Sequence, residues 1–264
     1  MFFMHGTPGS RVGPLPPEAE LWKRGVRLIS FDRPGYGRSG RKPARKVVDV
    51  APDVERIADA LGVKKFAVIG RSGGGPHALA CAAQLGERVT RAAALVSLAP
   101  RDAKDLDWLK GMADSNVDAY STAREDPELL SRRLIQAAEK IKADPKSHLA
   151  GLSPEMPESD RQVVDDAAIR TLLAQNFIEA VRKVADGWID DVLAFCVPWG
   201  FDVADIKQQV LLWHGGQDVF SPVSHTEWLA DKIPDAHVEK PLDRAHFGAL
   251  EAAPEALSWL VESL

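Results

Sequence analysis

The stretch Phe66-Ala67-Val68-Ile69-Gly70-Arg71-Ser72-Gly73-Gly74-Gly75-Pro76 decides how this chain is read. Its four leading apolar residues predict a strand buried on both faces, and an Ala-rich helix is expected over 76–85. A strand that turns this sharply into a helix holds the residue at the turn in a strained conformation. Small neighbours are needed there, because a Cβ would strike the crossing strand and helix. The turn lifts the Ser72 hydroxyl to the carboxyl end of the sheet, where a helix N-terminus and free N–H groups can hold an oxyanion. A dinucleotide-binding turn would need G-x-G-x-x-G, which 70–75 does not supply, and no acidic residue ends the following strand. Ser72 is the candidate nucleophile.

Outward from this turn, apolar runs alternate with amphipathic ones. Strands are expected at 26–30, 66–69, 92–97, 210–213 and 236–239, and helices at 50–61, 223–232 and 248–264. Strand alternating with helix predicts an α/β fold with a mostly parallel sheet and helices on both faces. Between 101 and 199 the pattern changes to charged helical stretches, 128–141 and 160–185, around the Pro-rich loop Leu152-Ser153-Pro154-Glu155-Met156-Pro157, with no convincing strand. The division expected is a core of 1–100 and 200–264 carrying a helical insertion at 101–199.

Three further motifs carry chemistry. His5-Gly6-Thr7-Pro8-Gly9 can aim the Thr7 N–H at a substrate carbonyl oxygen, making a two-donor oxyanion hole with the N–H of Gly73. His5 itself reads as a structural hydrogen-bonding residue. Trp213-His214-Gly215-Gly216-Gln217-Asp218 puts an acid in the loop after a buried strand, and Asp243-Arg244-Ala245-His246-Phe247-Gly248 puts a histidine before the last helix. A serine needs a base, and the base needs an orienting carboxylate. The order Ser72, Asp218, His246 supplies nucleophile, acid and base. His77, His148, His214, His225 and His237 stand in weaker contexts, and Asp102 or Asp105 is the alternative acid.

With these residues identified, the chain resembles the α/β-hydrolase superfamily, in its capped, esterase-like branch. The resemblance rests on His5 to Gly9, on Phe31-Asp32-Arg33-Pro34-Gly35-Tyr36-Gly37-Arg38-Ser39, on Gly70 to Gly74, on Gly215 to Pro222 and on Ala245 to Gly248. It implies cofactor-free acyl transfer to water through an acyl-serine intermediate, with the insertion as a helical cap. The family usually has two antiparallel strands before the His-Gly loop, and here that loop begins at residue 5. The N-terminal strands are then expected to be shortened or missing, unless the chain start has been assigned too late, and a sheet of about six strands is expected by counting apolar runs. The strand at 26–30 would be an unpaired edge, which makes a homodimer, or a stability defect, the hypothesis to test.

The remaining composition narrows the function. With 264 residues, 45% hydrophobic and 27% charged, the chain suits one large soluble domain with an insertion. A formal net charge of -5 gives no sign of nucleic-acid or anionic-membrane binding. Cys81 and Cys196 lie in no metal or CxxC pattern and read as free thiols, so the expected location is cytoplasmic, with no metal and no cofactor. Met1-Phe2-Phe3-Met4 lacks a basic leader, and no window nears the ~18 apolar residues of a membrane span. The leading function is hydrolysis of a small carboxylic ester. Apolar residues of the insertion, Trp108, Leu109, Met112, Phe177, Trp188 and Phe195, are candidates for the pocket. The alternatives are an iminopeptidase-type peptidase, with Glu125, Glu128, Glu179 or Asp186 receiving an amine, a C–C bond hydrolase, or a non-catalytic ligand-binding protein.

Overall fold

The computed structural model describes residues 1–262. Its strands are β1 (Phe2–Met4), β2 (Ile29–Ser30), β3 (Phe66–Arg71), β4 (Val89–Leu95), β5 (Gln209–Trp213) and β6 (Ala236–Glu239). They form one six-stranded sheet in the order β2-β1-β3-β4-β5-β6, with every neighbouring pair parallel. The helices are α1 (Glu18–Lys23), α2 (Val50–Ala60), α3 (Gly75–Gln84), α4 (Asp114–Glu125), α5 (Pro127–Ala143), α6 (Ser147–Leu152), α7 (Glu158–Asp165), α8 (Ala167–Ala180), α9 (Asp186–Phe195), α10 (Val223–Lys232) and α11 (Ala253–Val261).

The strands read as unbroken apolar runs because both faces of the sheet are covered, and the period of two sorts their side chains. Phe2, Met4, Phe66, Val68, Ala92, Ala94, Val210 and Leu212 enter the larger core, which α2, α3 and the helical segment also fill. The alternate residues Phe3, Ala67, Ile69, Ala93, Leu95, Leu211 and Trp213 face a smaller core closed by Ala252, Ala256 and Leu260. Between β4 and β5 the regular elements are α4 to α9, with no strand among the described residues.

Three expected elements differ. The strand at 26–30 contributes only Ile29–Ser30, because the Val26 N–H is committed to Leu21 O at the end of α1 and pairing with β1 begins at the Ile29 N–H. The helix expected at 160–185 breaks at Asp166, whose backbone is extended and whose carboxylate caps α8 through the Ala168 and Ile169 N–H groups. The helix expected at 248–264 is a short 3-10 turn, Phe247–Leu250, followed by α11, in whose first turn Pro254 restarts the helix. Residues 263–264 of that expectation lie outside the described residues.

Cys81 is buried and Cys196 half-buried, and both are free. Burial pushes the Cys196 thiol up to about 11 and Cys81 higher still, so neither is a reactive thiolate at neutral pH. No helix among the described residues is long and apolar enough to cross a membrane.

Candidate active site

Ser72 sits between β3 and α3 with φ at 55°, a left-handed conformation that costs a non-glycine residue about 1–3 kcal/mol. The surrounding backbone leaves the turn no alternative. A Cβ on Gly74 would stand 2.1 Å from Met4 O, and one on Gly73 would stand 2.3 Å from Thr7 Oγ1. These glycines let the turn press against β1 and the loop after it. They also bring Gly73 against the Thr7 side chain. The Thr7 N–H donates to no protein acceptor among the described residues.

The other two candidates meet each other directly. His246 Nδ1 lies 2.8 Å from Asp218 Oδ2. The Phe220 and Ser221 N–H groups donate to Asp218 Oδ1 at 2.8 and 3.0 Å, and His214 Nε2 stands 3.2 Å from Oδ2. Burial would raise the Asp218 carboxyl, but His246, His214 and these hydrogen bonds hold it well below the usual carboxylate range. An anionic Asp218 fixes the proton of His246 on Nδ1 and leaves Nε2 as the basic nitrogen. Ser72, His246, Thr7 and Gly73 all line one cavity of about 500 Å³. Ser72 Oγ has no hydrogen-bond partner among the described residues, as is common before substrate tightens a site.

The alternative acids fall away. Asp102 and Asp105 are exposed and form no hydrogen bond or ion pair with His246 among the described residues. His5 is buried, accepts from the Arg33 N–H at Nε2 and lies 2.8 Å from Gly6 O through Nδ1. Burial and Arg33 push it well below its ordinary value, which makes it a neutral brace for the Thr7 loop. His77 is buried behind the turn, 2.8 Å from Gly73 O, and burial and Arg33 push it to about 3.

Of the expected pocket residues, Phe177, Trp188 and Phe195 line the cavity. Trp108, Leu109 and Met112 do not. Trp108 packs edge-on against Tyr120 and His225 and donates to Ala99 O, so it fastens the start of the helical segment to the core.

Sequence reading missed two groups. Asp191 of α9, fully buried, accepts from Thr7 Oγ1 at 2.6 Å, Tyr36 OH at 2.8 Å and Arg33 Nη2 at 2.5 Å, and pairs with Arg45 at 2.6 Å. Burial would raise its carboxyl, but Arg33 and Arg45 hold it well below the usual range. The helical segment thereby grips the loop that carries Thr7. Asp160 of α7 accepts from the Phe247 N–H at 2.6 Å and so touches the histidine loop, while its Oδ2 has no partner. The Arg33 side of the first cluster could be suspected from an arginine beside Pro34-Gly35-Tyr36. Its acid, about 150 residues on, could not.

The fold and this geometry define the class. The family described as the alpha/beta hydrolase fold matches residues 1–253, and the chain belongs to that family. A pimeloyl-[acyl-carrier protein] methyl ester esterase of Aromatoleum aromaticum is 28% identical over 249 residues, covering 91% of this chain and 88% of that protein. The enol-lactonase of Burkholderia xenovorans LB400 superposes with a TM-score of 0.69 at 19% identity, covering 99% of this chain and 89% of that one. A bromoperoxidase from Bacillus anthracis gives 0.70 at 20% identity, covering 99% and 91%. At these identities the two structures speak to the fold alone.

Proposed function

We propose that the protein is a serine hydrolase that cleaves a carboxylic ester through an acyl-serine intermediate. The observation that carries this reading is a strained Ser72 sharing a cavity wall with His246, whose Nδ1 is held by a buried, anionic Asp218. His246 takes the Ser72 proton as the hydroxyl attacks the carbonyl. The N–H groups of Thr7 and Gly73 stabilise the oxyanion, and Asp218 stabilises the imidazolium. His246 then protonates the departing alcohol, and water attacks the acyl-serine by the same route in reverse. The helical segment acts as a cap that roofs the cavity with Phe177, Trp188 and Phe195. The esterase from Aromatoleum aromaticum, matched along most of both chains, supports ester chemistry.

The peptidase alternative is weaker. It needs a cap carboxylate facing the substrate, but Glu125 and Glu128 are exposed, Glu179 pairs with Arg11 and Arg182, and Asp186 pairs with Arg41. None of the four lines the cavity. A fluorophosphonate probe tests the reading: it should label the folded protein at Ser72, with p-nitrophenyl ester hydrolysis lost in step. A folded protein that neither labels nor cleaves would favour the non-catalytic alternative.

A further inference from the structure

Arg71, next to the candidate nucleophile, is a buried cation with nothing to hold. The residue is 7% exposed, its Nε and Nη1 have no hydrogen-bond partner, and no carboxylate stands within ion-pair distance of it among the described residues. Burial draws its pKa down to about 10, so it still carries its charge at neutral pH. The two nearest acids are committed elsewhere. Asp218 is occupied by His246, His214 and two amides, and Asp160 is bonded to the Phe247 N–H through Oδ1, while its unpartnered Oδ2 forms no ion pair with the guanidinium. Beyond the longer-range attraction of these two acids, the guanidinium lies 5.9 Å from the centre of the Phe247 ring.

An unpaired buried guanidinium costs several kcal/mol, and a fold retains it where something absent from the free protein completes it. Arg71 lines the same cavity as Ser72. The two side chains also flank one point: a Cβ built on Gly6 would lie 3.6 Å from Ser72 Cβ and 3.8 Å from Arg71 Nη2. The space before Gly6 therefore has the Ser72 side chain on one side and Nη2 of the Arg71 guanidinium on the other. A guanidinium fork matches a carboxylate in geometry and charge. The other cations on the wall, Arg133 and Lys140, are exposed, and Arg133 already pairs with Asp118.

We propose that Arg71 recognises a carboxylate on the substrate, so that the ester cleaved at Ser72 carries a second, anionic group a short spacer from the scissile carbonyl. This deepens the ester-hydrolase reading and rests on it. Four substrates test it. Mono-p-nitrophenyl glutarate is compared with its uncharged isostere p-nitrophenyl 5-methylhexanoate, and 4-acetoxybenzoate with 4-isopropylphenyl acetate, which places the carboxylate on the acyl or on the alcohol side. The wild type should favour the charged member of one pair at least tenfold in kcat/KM. Arg71→Met should erase that ratio, and Arg71→Lys should retain part of it. Two flat ratios in the wild type, or a ratio unmoved by Arg71→Met, overturn the proposal, and the wild-type ratios stand even if a variant does not fold. If the wild type cleaves none of the four, the hydrolase reading fails separately. Arg71 is then judged by calorimetry with monomethyl glutarate, which should bind wild type and not Arg71→Met. No binding to either overturns the anion site as well.

Discussion

Arg33 and Arg71 are both nearly sealed from solvent, and both approach the loop that carries Thr7, yet their surroundings are opposite. Arg33 finds Asp191, Thr7 Oγ1 and the carbonyls of His5 and Gly6. Arg71 finds an aromatic ring. A buried charge that is paired and hydrogen-bonded is structural, because removing either partner strands the other. One left unpaired on a cavity wall is a cost the fold carries for what enters the cavity. Stability thus rests on one of these arginines and recognition on the other, although both carry the same charge.

Measuring turnover and stability on the same variants tests that division. The largest effect belongs to Ser72→Ala, which should lower esterase turnover by about 10⁴-fold or more while thermal unfolding barely moves. Residual activity near wild type would remove Ser72 from the chemistry and the comparison with it. Asp191→Ala should cost about 3–5 kcal/mol in denaturant unfolding, because Arg33 and Arg45 lose their shared counter-ion. A loss below 1 kcal/mol would mean that the paired arginine is no more structural than the lone one.

A satisfied buried base gives the next test. His225 accepts the Ala99 N–H at Nδ1 and sits 3.0 Å from Trp108 O through Nε2, and burial pushes it down to about 4. The unfolded chain, with histidine near 6.5, binds the proton first. Its contribution is present above pH 6.5 and lost as pH falls toward 4, by about 3 kcal/mol. Unfolding followed from pH 7 to 4 should show this slope added to those of the buried His5, His77 and His148, and His225→Gln should reduce the total loss by about 3 kcal/mol. Arg71→Met should leave unfolding stability within about 1 kcal/mol of wild type, or raise it, since it removes an unpaired buried charge. A loss on the scale of Asp191→Ala would break the contrast. The smallest effect is expected for Glu179→Gln, whose pairs with Arg11 and Arg182 lie partly in solvent and should shift stability by less than about 1 kcal/mol.

The turn at Ser72 and the loops that carry Asp218 and His246 were legible because each is announced locally, by glycines and by a loop after an apolar run. The parallel sheet was legible for the same reason. The Asp191 cluster was not, since it joins residues from four separated segments, and nothing near α9 distinguishes this acid from Asp190 beside it. The orphaned state of Arg71 is harder still. A missing partner leaves no mark in a sequence and emerges only when every neighbour has been placed. The break at Asp166 was readable in principle, as an Asp before an Ala-rich start, but the charged residues on both sides masked it.

The helical segment meets the core at a point of no clearance. The Gly187 N–H donates to Gly35 O at 3.1 Å, a Cβ on Gly35 would lie 2.6 Å from Gly187 N, and one on Gly187 would lie 2.5 Å from the Tyr36 ring. A methyl group at either position would wedge α9 away from the core and drag Asp191 off Thr7. Residues 35 and 187 are thus bound to a common fate despite their distance along the chain. In descendants of this protein the two should be kept or exchanged together, and drift at one should register first as a misplaced Thr7.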